Sequence, residues 1–241
     1  MNKILGINFF NGLTSAAVEI GLAGGLVVVP SAPVLVEMEV DLEQRTALLS
    51  SDLAIPDSSL MVYLAYAVLG VKIRKISGLA YTRNIFQRST FWTSKRKLWI
   101  VPDEEFLNIL KRYCLKMNSN NDVYYIAPMY AKGAIKDENL VNIINTDRFS
   151  QVIITIGGGT QERLGFYLRS SGHHKFGIHC VGAAVGFIIG TQVSISPLAD
   201  YLGFGWVYRC LSNPRRFLPR YVHALRLIPI LIKYRQSPPI V

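Results

Sequence analysis

A chain of 241 residues, half of them apolar, can bury one large core, or a core with an appendage. Its three cysteines (Cys114, Cys180 and Cys210) are odd in number and widely spaced, which argues against a disulfide framework or a CxxC zinc site and for a reducing, cytosolic setting. The formal net charge of +10 is unevenly placed: eight cations and no acid lie between Asp57 and Asp103, and seven cations and no acid follow Asp200. Two such basic surfaces imply anionic partners, whether phosphates, nucleic acid or anionic lipid.

Asn8 and Asn11 interrupt the opening segment, so no signal peptide is expected. Residues 13–24 suit a short helix. The apolar stretch from Ile20 to Val36 carries Gly21, Gly24, Gly25, Pro30 and Pro33 and is shorter than the ~20 residues of a spanning helix. Its β-branched centre reads instead as a buried strand over Leu26–Val29. A helix is expected over Pro33–Leu49, a strand over Leu53–Ile55 and a helix over Ser58–Leu69. Residues 78–92 read as helical, with Thr90-Phe-Trp-Thr93 ambiguous. Then come a strand at Leu98–Val101, a helix at Asp103–Lys116 with Phe106, Leu107, Leu110 and Tyr113 on one face, and a strand at Val123–Ile126. A helix at Glu138–Asn145, a strand at Val152–Ile156, a helix from about Gln161 to Ser170 and a strand at Gly177–Val181 complete the run. Strands alternating with helices predict an α/β fold: a Rossmann-like, mostly parallel sheet with helices on both faces.

The C-terminal part differs in character, and the chain divides into an α/β core over residues 1–197 and a basic amphipathic appendage over 198–241. Pro219 is placed to start a helix whose Tyr221, Val222, Leu225 and Ile228 share a face, with Arg216, Arg220, His223 and Arg226 largely opposite. Leu227 violates that pattern, and Pro229 breaks or kinks the helix. Such a segment can lie in an anionic membrane interface or pack its apolar face on the core; the absence of acids favours the membrane.

Two strand ends carry the candidate chemistry. Asp52-Leu-Ala-Ile-Pro-Asp57 sets a carboxylate just after a short apolar segment, with Pro56 holding the turn. There Asp57 can act as a general base at the mouth of a sheet or merely cap the helix that follows. Ile154-Thr-Ile-Gly-Gly-Gly-Thr-Gln-Glu162 repeats the design, and Gly157–Gly159 can bring backbone N–H groups up to a phosphate at a helix N-terminus or simply make a tight turn. Glu162 suits the helix dipole better than catalysis. His173 and His174 point apart without nearby acids and read as a solvated loop, His179 as a strand residue, Asp52 as a turn residue, and Trp206 and Tyr208 as packing anchors.

In order and spacing, Val29-Pro-Ser31, Ser51-Asp-Leu-Ala-Ile-Pro-Asp57-Ser58, Lys75-Ile-Ser-Gly78, Gly157-Gly-Gly-Thr-Gln-Glu162, Val181-Gly-Ala-Ala-Val-Gly186, Gly203-Phe-Gly-Trp-Val-Tyr-Arg209, Pro214-Arg-Arg216 and Arg220-Tyr221 resemble the WecG/TagA/CpsF family of bacterial glycosyltransferases, from about Val27 to Tyr221. The resemblance implies sugar transfer from a nucleotide-diphosphate donor, a UDP-sugar, to a polyprenyl-diphosphate-linked acceptor. It implies inversion, no bound metal or other cofactor, and work at the cytoplasmic face of the cell membrane in surface polysaccharide synthesis. It assigns Asp57 as base. It assigns donor and diphosphate contacts to Ser31, Lys75, Gly157, Gly158 and Gln161, with Arg209, Arg215, Arg216 and Arg220 closing over the diphosphate. The chain departs from the family at Val29 (Thr), Ser31 (Asn), Gly159 (Pro), Gly186 (Asp) and Gly205 (Glu). These departures keep open a weakened or inactive member that binds lipid-linked intermediates or a partner protein. Nucleic-acid binding is the third reading and the one not expected, since the chain shows no recognisable RNA or DNA motif.

Overall fold

The computed structural model describes residues 2–93, 96–191, 211 and 214–240, with only the backbone of Arg216 and Phe217. The chain opens with a hairpin, β1 (Lys3–Ile4) and β2 (Ile7–Asn8), paired Lys3 to Asn8 and Ile4 to Ile7. Its two-residue loop, Leu5-Gly6, takes positive φ at both positions (49° and 83°), the turn whose twist matches paired strands. Two strands of two residues give no periodicity, and the sequence reading has no hairpin here.

There follow α1 (Thr14–Ala23), β3 (Gly25–Val28), α2 (Ala32–Val36), a 3-10 turn (Glu37–Glu39), α3 (Leu42–Leu49), β4 (Leu53–Ala54) and α4 (Ser59–Leu69). Next come α5 (Gly78–Phe86), α6 (Ser89–Thr93), β5 (Lys97–Val101), α7 (Glu104–Lys116), β6 (Val123–Ile126) and α8 (Glu138–Thr146). The run ends with β7 (Gln151–Ile154), α9 (Thr160–Ser171), β8 (Gly177–Cys180), α10 (Ala184–Ile189), α11 (Pro214–Ala224) and α12 (Leu227–Tyr234).

The expected helix over Pro33–Leu49 is thus three pieces. Asp41 ends the first run and caps the next, its carboxylate accepting the Gln44 N–H at 2.9 Å. The helix expected over 78–92 likewise breaks at Gln87-Arg88, and the ambiguous Thr90–Thr93 is helical in α6.

β3 to β8 form one parallel six-stranded sheet in the order β4-β3-β8-β7-β5-β6. Side chains alternate across it: Leu26 and Val28 face one core, with Leu48, Met61, Leu164 and Leu168, while Val27 and Val29 face the other, with Val18, Tyr81, Phe86 and Leu110. The first core is covered by α2, α3, α4, α8, α9, α11 and α12, and the second by α1, α5, α6, α7 and α10. A buried ion pair anchors the β5 end, where Lys97 Nζ lies 3.0 Å from Asp122 Oδ1 and Asp122 Oδ2 accepts from Trp99 Nε1 and Ser119 Oγ, both at 2.8 Å.

At the C-terminal end Pro214, not Pro219, opens the described helix α11, and Pro219 lies inside it. α12 begins afresh at Leu227, so Pro229 falls in a first turn, where a missing N–H costs no intrahelical bond. The apolar face is corrected as well. Ala224, Leu227, Ile230 and Leu231 join the core beside Leu26 and Met61, while Leu218, Val222, Leu225, Ile228 and Ile232 stay exposed. Leu227, the residue that broke the predicted pattern, is fully buried. Two apolar rows exist, and the chain buries the one that contains it. Leu5 N–H and Gly6 N–H donate to the carbonyls of Arg235 and Gln236, and Arg45 donates to Pro239 O at 2.7 Å, so the chain end is fastened to the opening hairpin and α3. Among the described residues no helix is long and apolar enough to cross a membrane.

Candidate active site

All six strands are parallel, so the loops that leave their carboxyl ends crowd one edge, where sheets of this kind bind ligands. Four of the predicted segments leave that edge from neighbouring strands: Ser31 after β3, Asp57 after β4, Gly157–Gly159 after β7 and Gly182 after β8.

Asp57 does not cap the helix that follows it. Ser58 does, its hydroxyl accepting the Met61 N–H at 3.2 Å. The Asp57 carboxylate turns instead to α5 and accepts the N–H of Gly78, that helix's first residue, at 2.8 Å, while Ser77 caps the same helix through Ala80 N. A carboxylate at a helix N-terminus is held by an aligned N–H and by the dipole. Gly78 keeps this approach close: a Cβ at this position would stand 3.0 Å from Val29 Cγ1, which would have to shift to admit it, and 3.9 Å from Asp57 Oδ1. Ile76 N–H donates to Pro56 O at 3.2 Å, which sets half-buried Lys75 beside the Pro56-Asp57 turn.

The glycine turn is built on Glu162. This carboxylate is fully buried, accepts Gly159 N–H through Oε2 at 2.6 Å and Gln161 Nε2 through Oε1 at 3.0 Å, and lies beside the buried Gln44 of α3. Burial raises its pKa, and these hydrogen bonds oppose the rise. The sequence reading gave Glu162 only a dipole role and gave Gln44 none; the Asp41-x-x-Gln44 spacing that starts α3 is the signal that could have located Gln44. Gly157 and Gly158 are exposed above this scaffold, and a Cβ on Gly158 would meet Val34 at 3.0 Å. Gln161 is buried, and its Oε1 has no hydrogen-bond partner among the described residues; it sits 3.1 Å from where a Cβ of Gly182 would be. An unpaired buried acceptor of this kind costs free energy until a donor reaches it.

The appendage reaches the same edge. Arg220 Nη2 lies 3.4 Å from Ser31 Oγ, and α11 packs on α2. His223 pairs with Glu37 at 2.9 Å and Lys233 with Glu39 at 3.3 Å, which hold the two C-terminal helices against the 3-10 turn. Arg215 is exposed on α11. Arg209 lies outside the described residues, as do the side chain of Arg216, Gly205, Trp206 and Tyr208. The structure thus brings Asp57 together with the Lys75 segment, Ser31 with Arg220, and Gln161 with the glycine turn.

The departures from the family pattern have physical content. Val29 is 8% exposed and packs into the second core, so a methyl stands where a hydroxyl would. Gly186 is buried in α10, and its carbonyl accepts from Thr191 N–H at 2.9 Å and Thr191 Oγ1 at 3.2 Å. Gly159 has φ 92°, which proline, fixed near −65°, cannot adopt. The turn is rebuilt there, not conserved with one residue exchanged.

The other predicted polar residues are structural. Asp52 accepts Leu26 N–H at 2.7 Å and pairs with Arg169 at 3.0 Å; His173 is exposed. His179 is buried on β8 between Tyr81 Oη (2.9 Å) and Gln151 Oε1 (2.7 Å), and burial lowers its pKa to about 4. An open cavity of about 640 Å³ lies past β6, where Asp137 accepts from Tyr125 at 2.7 Å and Tyr130 at 2.5 Å. It is five strands from β4, about 24 Å at the usual strand spacing, so its lining Lys136, Asp137 and Glu138 stand apart from Asp57 and the glycine turn. Among the described residues no three His, Cys, Asp or Glu side chains converge as a metal site.

No curated protein matches the chain. The model of the glycosyl transferase WecG/TagA/CpsF family matches residues 3–239, nearly its whole length, and the chain belongs to that family of glycosyltransferases.

Proposed function

We propose that this transferase moves a sugar from a nucleotide-diphosphate donor, a UDP-sugar, to a polyprenyl-diphosphate-linked acceptor in bacterial surface polysaccharide synthesis, at the inner face of the cell membrane. The observation that carries the reading is the gathering of Asp57, Ser31–Arg220 and the glycine turn at the carboxyl ends of β4, β3 and β7. β4 and β7 are three strands apart, about 14 Å, a span suited to an elongated donor with its acceptor.

In the proposed reaction the acceptor hydroxyl attacks the anomeric carbon, the bond from that carbon to the diphosphate oxygen breaks, and Asp57 takes the hydroxyl proton. A single displacement inverts the anomeric configuration. Gly78 N–H orients the base. The N–H groups of the exposed Gly157 and Gly158, with Lys75, Arg209, Arg215, Arg216 and Arg220, meet the charge that grows on the leaving diphosphate. Gln161 Oε1 offers an acceptor to a donor hydroxyl.

The exposed row Leu218, Val222, Leu225, Ile228 and Ile232, among the cations of the acid-free C-terminal stretch, suits an anionic membrane surface. We retain the division at 197/198 as the boundary between sugar-transfer core and membrane appendage. Because α12 also buries core residues, substitution of the exposed row tests this role better than truncation: Val222→Ser/Leu225→Ser/Ile232→Ser should weaken vesicle binding and transfer to a lipid-linked acceptor together.

The test of the chemistry is turnover of UDP-sugars with a short-chain polyprenyl-diphosphate sugar. Asp57→Asn should lower it about 10²–10⁴-fold with the fold intact; unchanged turnover removes Asp57 from the mechanism. The methyl at Val29 and the missing carboxylate at Gly186 favour a second reading, a weakened or inactive member that binds lipid intermediates or a partner. Transfer by the purified wild-type chain would exclude it.

A further inference from the structure

The helix that follows Asp57 has no charged side. α4 carries no charged residue, and none occurs between Asp57 and Lys72. It buries Met61, Leu64 and Ala65, yet at 100° per residue the opposite face presents Tyr63, Tyr66 and Ala67, with Tyr63 68% and Tyr66 64% exposed. α12 packs beside α4 and leaves its own Ile228 and Ile232 exposed. Two adjacent helices therefore each fill the core with one row and show a second, uncharged row outward, isoleucine on α12 and tyrosine on α4, a pattern that suits a membrane interface.

We propose that α4 is a membrane-contact element of the core itself, which inserts Tyr63 and Tyr66 at the headgroup level of an anionic bilayer alongside α12. The proposal rests on the membrane reading above and deepens it, since contact is then not confined to the appendage. Charge selects lipid over a second copy of the chain. Exposed Lys72 and Arg74 follow α4, exposed Arg226 and Arg235 flank α12, and the segments 58–93 and 214–240 contain no acid. The acids of the neighbouring 3-10 turn, Glu37 and Glu39, are paired with His223 and Lys233. A surface of one sign repels its copy and attracts an anionic leaflet. Tyrosine suits this depth because its ring is apolar and its hydroxyl stays hydrated. α4 starts two residues after Asp57, so its contact would hold the base at the membrane surface, where the diphosphate of a lipid-linked acceptor sits.

The test is co-sedimentation of the full chain with phosphatidylcholine vesicles containing phosphatidylglycerol, without substrates. Tyr63→Ser/Tyr66→Ser should weaken binding about 10- to 100-fold with an unchanged melting temperature, while Tyr63→Trp/Tyr66→Trp should bind at least as tightly as wild type. Full binding by the serine variant, when Val222→Ser/Leu225→Ser/Ile232→Ser loses it, overturns the role of α4 and leaves the appendage reading standing. A wild-type chain that ignores these vesicles overturns both, whatever its transferase activity. A wild-type dimer that the serine variant turns into a monomer, with vesicle binding intact, overturns it in favour of a self-interface.

Discussion

His179 ties the stability of the sheet to pH with a magnitude that can be worked out. Its ring bridges Tyr81 of α5 and Gln151 of β7, and Gln151 continues the chain to Leu22 O at 2.9 Å. Burial lowers the imidazole pKa from 6.5 to about 4, so the folded protein keeps the ring neutral where the unfolded chain protonates it. Below 6.5 the unfolded state binds the extra proton and stability falls with pH, until the folded ring also titrates near 4. Linkage gives a loss of about 2 kcal/mol by about pH 5 and about 3 kcal/mol by about pH 4, relative to neutral pH. Glu162 acts with the opposite sign. Its folded pKa is raised by burial, so its contribution is present below 4.5 and lost as pH rises through the folded value. A wild-type curve alone mixes the two. The assay is therefore urea unfolding of wild type and His179→Gln across this range, read as the difference between them, in which the Glu162 contribution cancels. The variant should be less stable at neutral pH and should close the gap by about 2 kcal/mol on acidification to about pH 5. A difference that stays flat would show that the folded ring titrates normally and that its burial carries no proton linkage.

Restoring the family's proline at the glycine turn, Gly159→Pro, should destabilise by about 3 kcal/mol or more, because it forbids φ 92° and deletes the N–H that the buried Glu162 accepts. A melting temperature equal to wild type would mean that the turn can relax to another conformation. Lys97→Met leaves Asp122 buried without its cation and should cost about 3–5 kcal/mol in denaturant unfolding; adding Asp122→Leu should recover most of it, as replacement of a whole buried pair does. Leu227→Ala should cost about 2–5 kcal/mol, and Ile232→Ser, on the exposed row of the same helix, about 0.5 kcal/mol or less. Equal losses would contradict the two-faced packing of α12.

The middle of the sheet was legible because its strands are short, rich in β-branched residues and fully buried: Val27–Val28, Leu98–Val101 and Val152–Ile154 stand out by composition alone. α7 was legible because its capping Asp103, acidic first turn and apolar spacing agree. Helix breaks were harder. From Pro33 to Leu49 the apolar residues continue at helical spacing, and the interruption is one side-chain bond, Asp41 to Gln44 N, in a sequence that would equally tolerate an unbroken helix. The C-terminal face shows another limit. Hydropathy detects an apolar row but cannot say which of two rows meets the core. Leu227, Ile230 and Leu231 won because α2 and α4 present a complementary surface far away in sequence.

The candidate site divides along the same line. Asp57, Gly157–Gly159 and Gln161 were readable because side-chain type and glycine spacing mark them. The groups that orient them are mostly backbone N–H donors and distant side chains, which leave no local signature. Gly78 N–H meets Asp57 from 21 residues away, and Arg220 meets Ser31 across 189. This bears on the choice between base and cap. By local sequence the alternatives for Asp57 are equivalent, since aspartate suits both, and the family resemblance favours the base. The structure gives the capping task to Ser58 and brings Asp57 to the start of α5. With Ser58 capping α4, Asp57 is held by Gly78 N–H at the carboxyl edge of the sheet, a placement that supports the proposed role as base and that Asp57→Asn tests.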